Sequence, residues 1–159
     1  MTLSDKIVPV EALPRALATL ARPIVFTNGV FDLLHRGHVE YLADARALGG
    51  SLVIGLNSDA SARLLGKGED RPINQERDRA IMLAALEAVS IVCLFDERTP
   101  MALLEHVRPD LYVKGGDYDV EALPESTLVK SWGGLSRTIQ LRPGYSTTRL
   151  VDRIRAFKP

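Results

Sequence analysis

His35 and His38 enclose Gly37 in the segment Thr27-Asn28-Gly29-Val30-Phe31-Asp32-Leu33-Leu34-His35-Arg36-Gly37-His38. The segment leads from a short apolar run into a helical pattern that begins near Gly37. Free N–H groups at a strand-to-helix junction attract phosphate, and Gly29 lets a ligand approach the backbone. Two imidazoles in the first helical turn can then project toward the same anion. The chemistry such a segment suits is hydrogen-bond donation to phosphate. The plain alternative is two surface histidines capping a helix. The segment is not a G-x-G-x-x-G fingerprint, and the chain has no Walker P-loop. A zinc pair lacks further ligands, because Cys93 falls in mid-strand and His106 on a separate helix.

These residues need elements to position them, and strand-like and helix-like stretches alternate from residue 11 onward. A short helix is expected over 11–20, with Pro14 in its first turn where proline is tolerated. Strands are expected at 23–27, 52–56, 91–95, 111–113 and 138–141, each a short apolar or β-branched run. Helices are expected at 37–48, stopped by Gly49-Gly50, at 75–88 and at 99–106. In the helix over 75–88 the inward face reads as Ile81, Met82, Ala85, Leu86 and Val89. Asn57-Ser58-Asp59 can cap a short helix to about residue 65, and 66–74 reads as a loop. Two helical pieces split by Pro124 fill 119–132. Ser146 or Thr147 caps a last helix to about Phe157.

Alternation of this kind implies parallel strands with right-handed crossovers, hence an α/β fold: a Rossmann-like doubly wound sheet of about five strands. Ligands of such sheets bind beyond the carboxyl ends of the strands. Four polar, glycine-containing or capping segments should therefore share one edge: 27–29, 57–59, 114–117 and 142–148.

Composition bounds the function. The chain has 159 residues, 46% of them hydrophobic, which suits one domain over 1–159 with 1–22 as an N-terminal helical extension. Twenty Lys+Arg balance twenty Asp+Glu, and the pI is near 6.8, which argues against a general nucleic-acid or membrane-surface binder. Cys93 is the one cysteine, so no internal disulfide forms, and a reducing compartment fits. No apolar run reaches the roughly 18 residues of a membrane span, and the start lacks a leader pattern. A soluble cytoplasmic protein is expected.

Gly29-x-Phe31-Asp32-x-x-His35-x-Gly37-His38 resembles the signature of the HxGH nucleotidylyltransferases, relatives of class I aminoacyl-tRNA synthetases. In that family the two histidines contact nucleotide phosphates and stabilise charge as pyrophosphate leaves. Its second element, a Ser/Thr cluster opening a late helix, matches Gly144-Tyr145-Ser146-Thr147-Thr148, which would hold the triphosphate from the opposite side. Taken alone, that cluster reads as an ordinary N-cap. Further matches are Lys67-Gly68-x-x-Arg71-Pro72-Ile73-Asn74, Arg79, 85–89, and Leu111-x-Val113-Lys114-Gly115-Gly116-Asp117-Tyr118. Together they resemble the adenylyltransferase domain of the bifunctional heptose 7-phosphate kinase/heptose 1-phosphate adenylyltransferases, over nearly the whole chain. Two segments depart from that pattern: 119–130, and Arg142-Pro143, where acidic residues are the rule.

The resemblance implies AMP transfer from ATP to D-glycero-D-manno-heptose 1-phosphate, giving ADP-heptose and pyrophosphate for lipopolysaccharide or capsule. His35 and His38 would be catalytic. Thr27, Asn28, Gly29, Phe31, Gly37, Lys114, Gly115, Asp117, Ser146, Thr147 and Thr148 would bind the nucleotide. Lys67, Arg71 and Arg79 would grip substrate phosphate, each with the alternative of a solvated surface charge. Asp32 would orient a histidine or accept from a ligand hydroxyl, or else cap backbone; Lys114 and Asp117 can also belong to a plain tight turn. Mg²⁺ is expected with the triphosphate and without a dedicated protein cage. A homo-oligomer and a separate heptose kinase are expected partners. Competing readings are a cytidylyltransferase acting on glycerol 3-phosphate or a related phosphate, and a non-catalytic nucleotide-binding subunit.

Overall fold

The structure is a computed structural model that describes residues 2–117 and 119–158, so Tyr118 of the glycine-rich match lies outside the described residues. Five strands, β1 (Ile24–Gly29), β2 (Ser51–Asn57), β3 (Ile91–Phe95), β4 (Leu111–Gly115) and β5 (Leu135–Ile139), form one parallel sheet in the order β3-β2-β1-β4-β5. Every residue of β2 is buried. That continuous burial explains its unalternating apolar sequence, because helices cover both faces of a parallel sheet. Successive side chains still divide between the faces. Phe26, Val53, Cys93 and Tyr112 enter one core, and Val25, Leu52, Ile54, Val92 and Val113 enter the other.

Among the described residues, seven α-helices connect or flank the strands: α1 (Leu13–Leu17), α2 (Arg36–Ala47), α3 (Asp59–Leu64), α4 (Glu76–Ala84), α5 (Met101–Val107), α6 (Pro124–Lys130) and α7 (Thr147–Ala156). Ser58 caps α3 by accepting from Ser61 N, and Ser146 caps α7 by accepting from Arg149 N, as short hydroxyl side chains do at helix starts. Pro124 occupies the first position of α6 after a 3₁₀ turn at Val120–Ala122, the expected split. The N-terminal extension holds two 3₁₀ turns, Leu3–Lys6 and Val10–Ala12, and the short α1. It packs through buried Leu13 and through Val8 N, which donates to Val92 O at 2.9 Å.

Two expectations fail locally. β5 begins three residues earlier than its apolar run suggests, because it is an edge strand whose Leu135 is 70% exposed, so burial does not mark its start. In α4 the inward face carries Arg79, Ala80, Leu83 and Ala84, while Ile81 is exposed. The apolar pattern misjudged the phase within the helix, where Arg79 is buried beside Leu83, although Val89 beyond the helix is buried as expected. The helix also ends at Ala84, four residues short of the expected end.

From β1 the chain moves outward to β2 and β3, then crosses back to β4 on the other side of β1. The loops after β1 and β4 therefore diverge and leave a crevice at the carboxyl edge. Gly55 sits at the centre of this frame, where an added Cβ would lie 2.7 Å from Phe26 Cζ and 3.1 Å from Leu103 Cδ2. Gly55→Ala should overpack this core and cost about 1–3 kcal/mol. Urea denaturation should show a lower midpoint at an unchanged slope; an unshifted midpoint would show that the sheet can yield here.

Candidate active site

A cleft of about 420 Å³ occupies the crevice between the ends of β1 and β4. Its walls come from the β1–α2 loop, the first turn of α2, the 66–74 loop, the end of β4 and the approach to α7.

The histidine pair forms one wall. His35 is the N-cap of α2, and its Nδ1 accepts from His38 N at 3.4 Å. That bond puts the proton of the neutral ring on Nε2, leaving a donor for a ligand. The His35 and His38 rings stack with centroids 3.8 Å apart, and Phe31 meets His38 edge-on at 5.4 Å. Gly37 makes the stack possible: a Cβ there would lie 2.9 Å from Tyr145 Cβ and 3.0 Å from His35 Cε1. Phe31 adopts φ 48°, a left-handed backbone that bulky residues avoid, and its ring would meet a Cβ at Gly29 at 3.0 Å. The turn thus spends conformational strain to hold an aromatic edge against a catalytic-type histidine.

Both imidazoles are held neutral. Burial pushes His35 down from its ordinary value, and burial together with the neighbouring His35 pushes His38 down to about 4, against a smaller opposing contact with the Leu33 carbonyl. His38 Nδ1 is buried without a hydrogen-bond partner among the described residues. A buried polar atom of this kind is costly unless a ligand or water completes it.

The facing wall is the start of α7. Ser146, Thr147 and Thr148 line the cleft, and Thr147 Oγ1 also reaches Leu33 O at 3.5 Å, joining α7 to the histidine loop. Lys67, Arg71 and Lys114 add cations. Burial lowers the pKa of Lys114, whose Nζ donates to Asn28 O at 3.4 Å. Among the described residues, the only acidic side chain lining the cleft is Asp32. Asp32 caps backbone, one of the alternatives its sequence reading offered, and also lines the cleft. Its carboxylate accepts from Ile73 N at 2.8 and 2.9 Å and from Asn74 N at 2.8 Å, so it caps the 66–74 loop. The cleft is thereby strongly electropositive in a chain of zero net charge.

Of the residues expected from sequence, Asn28, Gly29, Gly37 and Gly115 also line the cleft. Three do not. Thr27 is fully buried with Oγ1 2.7 Å from Tyr41 Oη, behind the site rather than in it. Asp117 is exposed and outside the lining. Arg79 needs the clearest correction: it is 0% exposed and cannot meet a substrate phosphate. Its Nε donates to Asn74 O at 3.0 Å, Nη1 to Val30 O and Asn57 O at 2.7 and 2.8 Å, and Nη2 to Asp59 Oδ1 at 2.7 Å. The 57–59 segment is accordingly engaged with this guanidinium instead of the cleft. Sequence reasoning put Arg142 at the active edge and Tyr145 in the Ser/Thr match without giving either a specific role, and both line the cleft.

The family described as cytidylyltransferase-like matches residues 26–155. The chain is 57% identical over 140 residues to a D-beta-D-heptose 1-phosphate adenylyltransferase of Bordetella bronchiseptica, covering 88% of this chain and 86% of that one. It is 54% identical over 135 residues to the bifunctional protein HldE of Magnetococcus marinus, covering 85% of this chain but only 28% of that relative. Among solved structures, a lipopolysaccharide core biosynthesis protein from Thermoplasma volcanium superposes with TM-score 0.63 at 29% identity, over 75% of this chain and 95% of that one.

Two outcomes follow from this geometry. Arg79→Ala leaves three carbonyls and Asp59 without their donor and should cost about 3–5 kcal/mol in thermal or urea unfolding, with no rescue by lysine, which lacks the fork. A loss below about 1 kcal/mol would contradict the bracing role. His38 should titrate near 4 by NMR in the free protein. Because the unfolded ring binds its proton near the ordinary 6.5, stability from this group is complete above that pH. It falls by up to about 3 kcal/mol as pH drops toward 4. Tripolyphosphate should raise the His38 pKa, with proton uptake near pH 6; an unmoved resonance would remove the ring from the anion site.

Proposed function

We propose that this chain, which belongs to the cytidylyltransferase-like family, transfers AMP from ATP to D-glycero-D-manno-heptose 1-phosphate, releasing pyrophosphate and forming ADP-heptose. The observation that carries the reaction type is the stacked pair His35–His38 facing the hydroxyl-lined start of α7 across an electropositive cleft. The name and 57% identity of the Bordetella relative support the heptose, the adenylyl donor and the β anomer.

The reaction needs no protein nucleophile. A sugar phosphate is already largely dianionic near neutral pH. Its oxygen attacks the α-phosphorus of ATP while the bond from that phosphorus to the pyrophosphate oxygen breaks. The obstacles are repulsion between two polyanions and alignment of the three reacting atoms. His35 and His38 donate to phosphate oxygens where charge develops. Ser146–Thr148 and the free amides opening α7 hold the triphosphate from the other side. Lys67 and Arg71 bring the sugar phosphate to the α-phosphorus. Asp32, by fixing Ile73 and Asn74, sets where that loop stands.

Mg²⁺ would arrive with the triphosphate and offset its charge. Among the described residues no three His, Cys, Asp or Glu side chains group to hold a metal, so phosphate oxygens and water would supply its ligands. The chain acts as one nucleotidyltransferase domain in the cytoplasm, as a homo-oligomer. It spans 28% of the bifunctional Magnetococcus relative. A separate kinase would supply heptose phosphate, and the product would feed lipopolysaccharide or capsule assembly. No helix among the described residues is long and apolar enough to cross a membrane.

Pyrophosphate release should be fastest with ATP and heptose 1-phosphate in a panel of ATP, CTP, GTP and UTP against heptose 1-phosphate and glycerol 3-phosphate. His35→Ala and His38→Ala should each lower kcat by about 100-fold or more. Preference for CTP with glycerol 3-phosphate would overturn the substrate reading but leave the reaction type. Full turnover in both variants would overturn the role of the histidines.

A further inference from the structure

The loop entering α7 carries a charge whose partner is unusual. Arg142 lines the cleft, yet its Nε lies 2.7 Å from Glu40 Oε2. Glu40 stands on α2, outside the lining, and its other oxygen accepts from Arg36 Nε at 2.9 Å. The contact with Arg142 is close but out of line for a hydrogen bond, so Oε2 remains without one. Arg142 Nη1 and Nη2 have no hydrogen-bond partner among the described residues, and the side chain is 58% exposed. Two arginines thus compete for one carboxylate, and the one at the cleft is held through a single nitrogen.

Such a pair is weak. Arg142 is 58% exposed while Glu40 Oε2 is buried, and a half-exposed contact through one nitrogen, out of line for a hydrogen bond, is worth less than a two-nitrogen grip on phosphate. Arg142 also sits four residues before Ser146, on the same loop that presents the Ser/Thr wall. We propose that Arg142 is a triphosphate-binding residue which Glu40 holds aside in the free protein, and which leaves Glu40 for the phosphates when ATP enters. Glu40 is the positioning residue. It lowers the electrostatic cost of a fourth cation in the empty cleft and sets a threshold that only a multiply charged ligand overcomes. The inference rests on the reading of the cleft as a triphosphate site, and not on the identity of the sugar.

Calorimetry with tripolyphosphate and with ATP separates this role from a merely structural one, because the two partners should shift affinity in opposite directions. Arg142→Gln should weaken binding about 10-fold, the value of a charge-assisted bond. Arg142→Lys should recover part of that loss. Glu40→Gln should tighten binding about 2- to 5-fold, the worth of the half-exposed, single-nitrogen contact it removes. The double variant should behave as Arg142→Gln does. In steady state, the KM for ATP should move with these values and the KM for the sugar phosphate should not. If the pair only braces the loop, Glu40→Gln and Arg142→Gln will weaken binding alike, and the proposal fails. Unchanged affinity in Arg142→Gln also overturns it. The expected pattern with tripolyphosphate, but no turnover of heptose 1-phosphate, would sustain this inference while refuting the substrate reading.

Discussion

One buried guanidinium holds the catalytic edge together. Arg79 reaches from α4 to the backbone at Val30, Asn57 and Asn74 and to the carboxylate of Asp59. Those partners belong to the β1–α2 loop, the end of β2, the start of α3 and the 66–74 loop. Loops at the open end of a parallel sheet cannot pair with one another as strands do, so their carbonyls need donors from elsewhere. A planar fork of five N–H groups can serve several at once. Burying such a charge is costly, and it is offset here because its donors meet oxygen acceptors at 2.7 to 3.0 Å.

Asp32 extends the same scaffold. Arg79 holds the Asn74 carbonyl, and Asp32 holds the Asn74 and Ile73 amides, so the 66–74 loop is fixed at one end by both charges. Lys67 and Arg71 then stand at the cleft as its free cations while the two buried charges carry the architecture. The histidine wall is built with the same economy. Burial lowers the pKa of both rings, and the turn at Phe31 sets an aromatic edge against His38.

The parallel alternation of strands and helices was legible in the sequence because each strand is a short apolar run between turn residues. The histidine segment and the Ser/Thr cluster were legible because their residue types are unusual at those spacings. The phase of α4 was not, since Ile81 faces outward and an arginine faces inward, opposite to what transfer energies favour. The start of β5 was not, since an exposed edge strand has no burial pattern to mark it. The roles of Arg79 and Asp32 were obscured for a related reason: a charged residue near a phosphate-binding motif looks like a ligand contact until its partners are seen.

The sequence by itself determined the fold class, the edge of the sheet at which the cleft opens, and the residue types of its two walls. These depend on local patterns of apolar and polar residues and on which side chains can donate to phosphate. Only the tertiary structure decided which charges face the cleft. Lys67, Arg71, Lys114 and Arg142 do; Arg79 does not, though nothing in its type distinguishes it from Arg71 or Arg142. The reason is that the energy of a charge depends on its partners, and here those partners lie up to 102 residues away, as between Glu40 and Arg142.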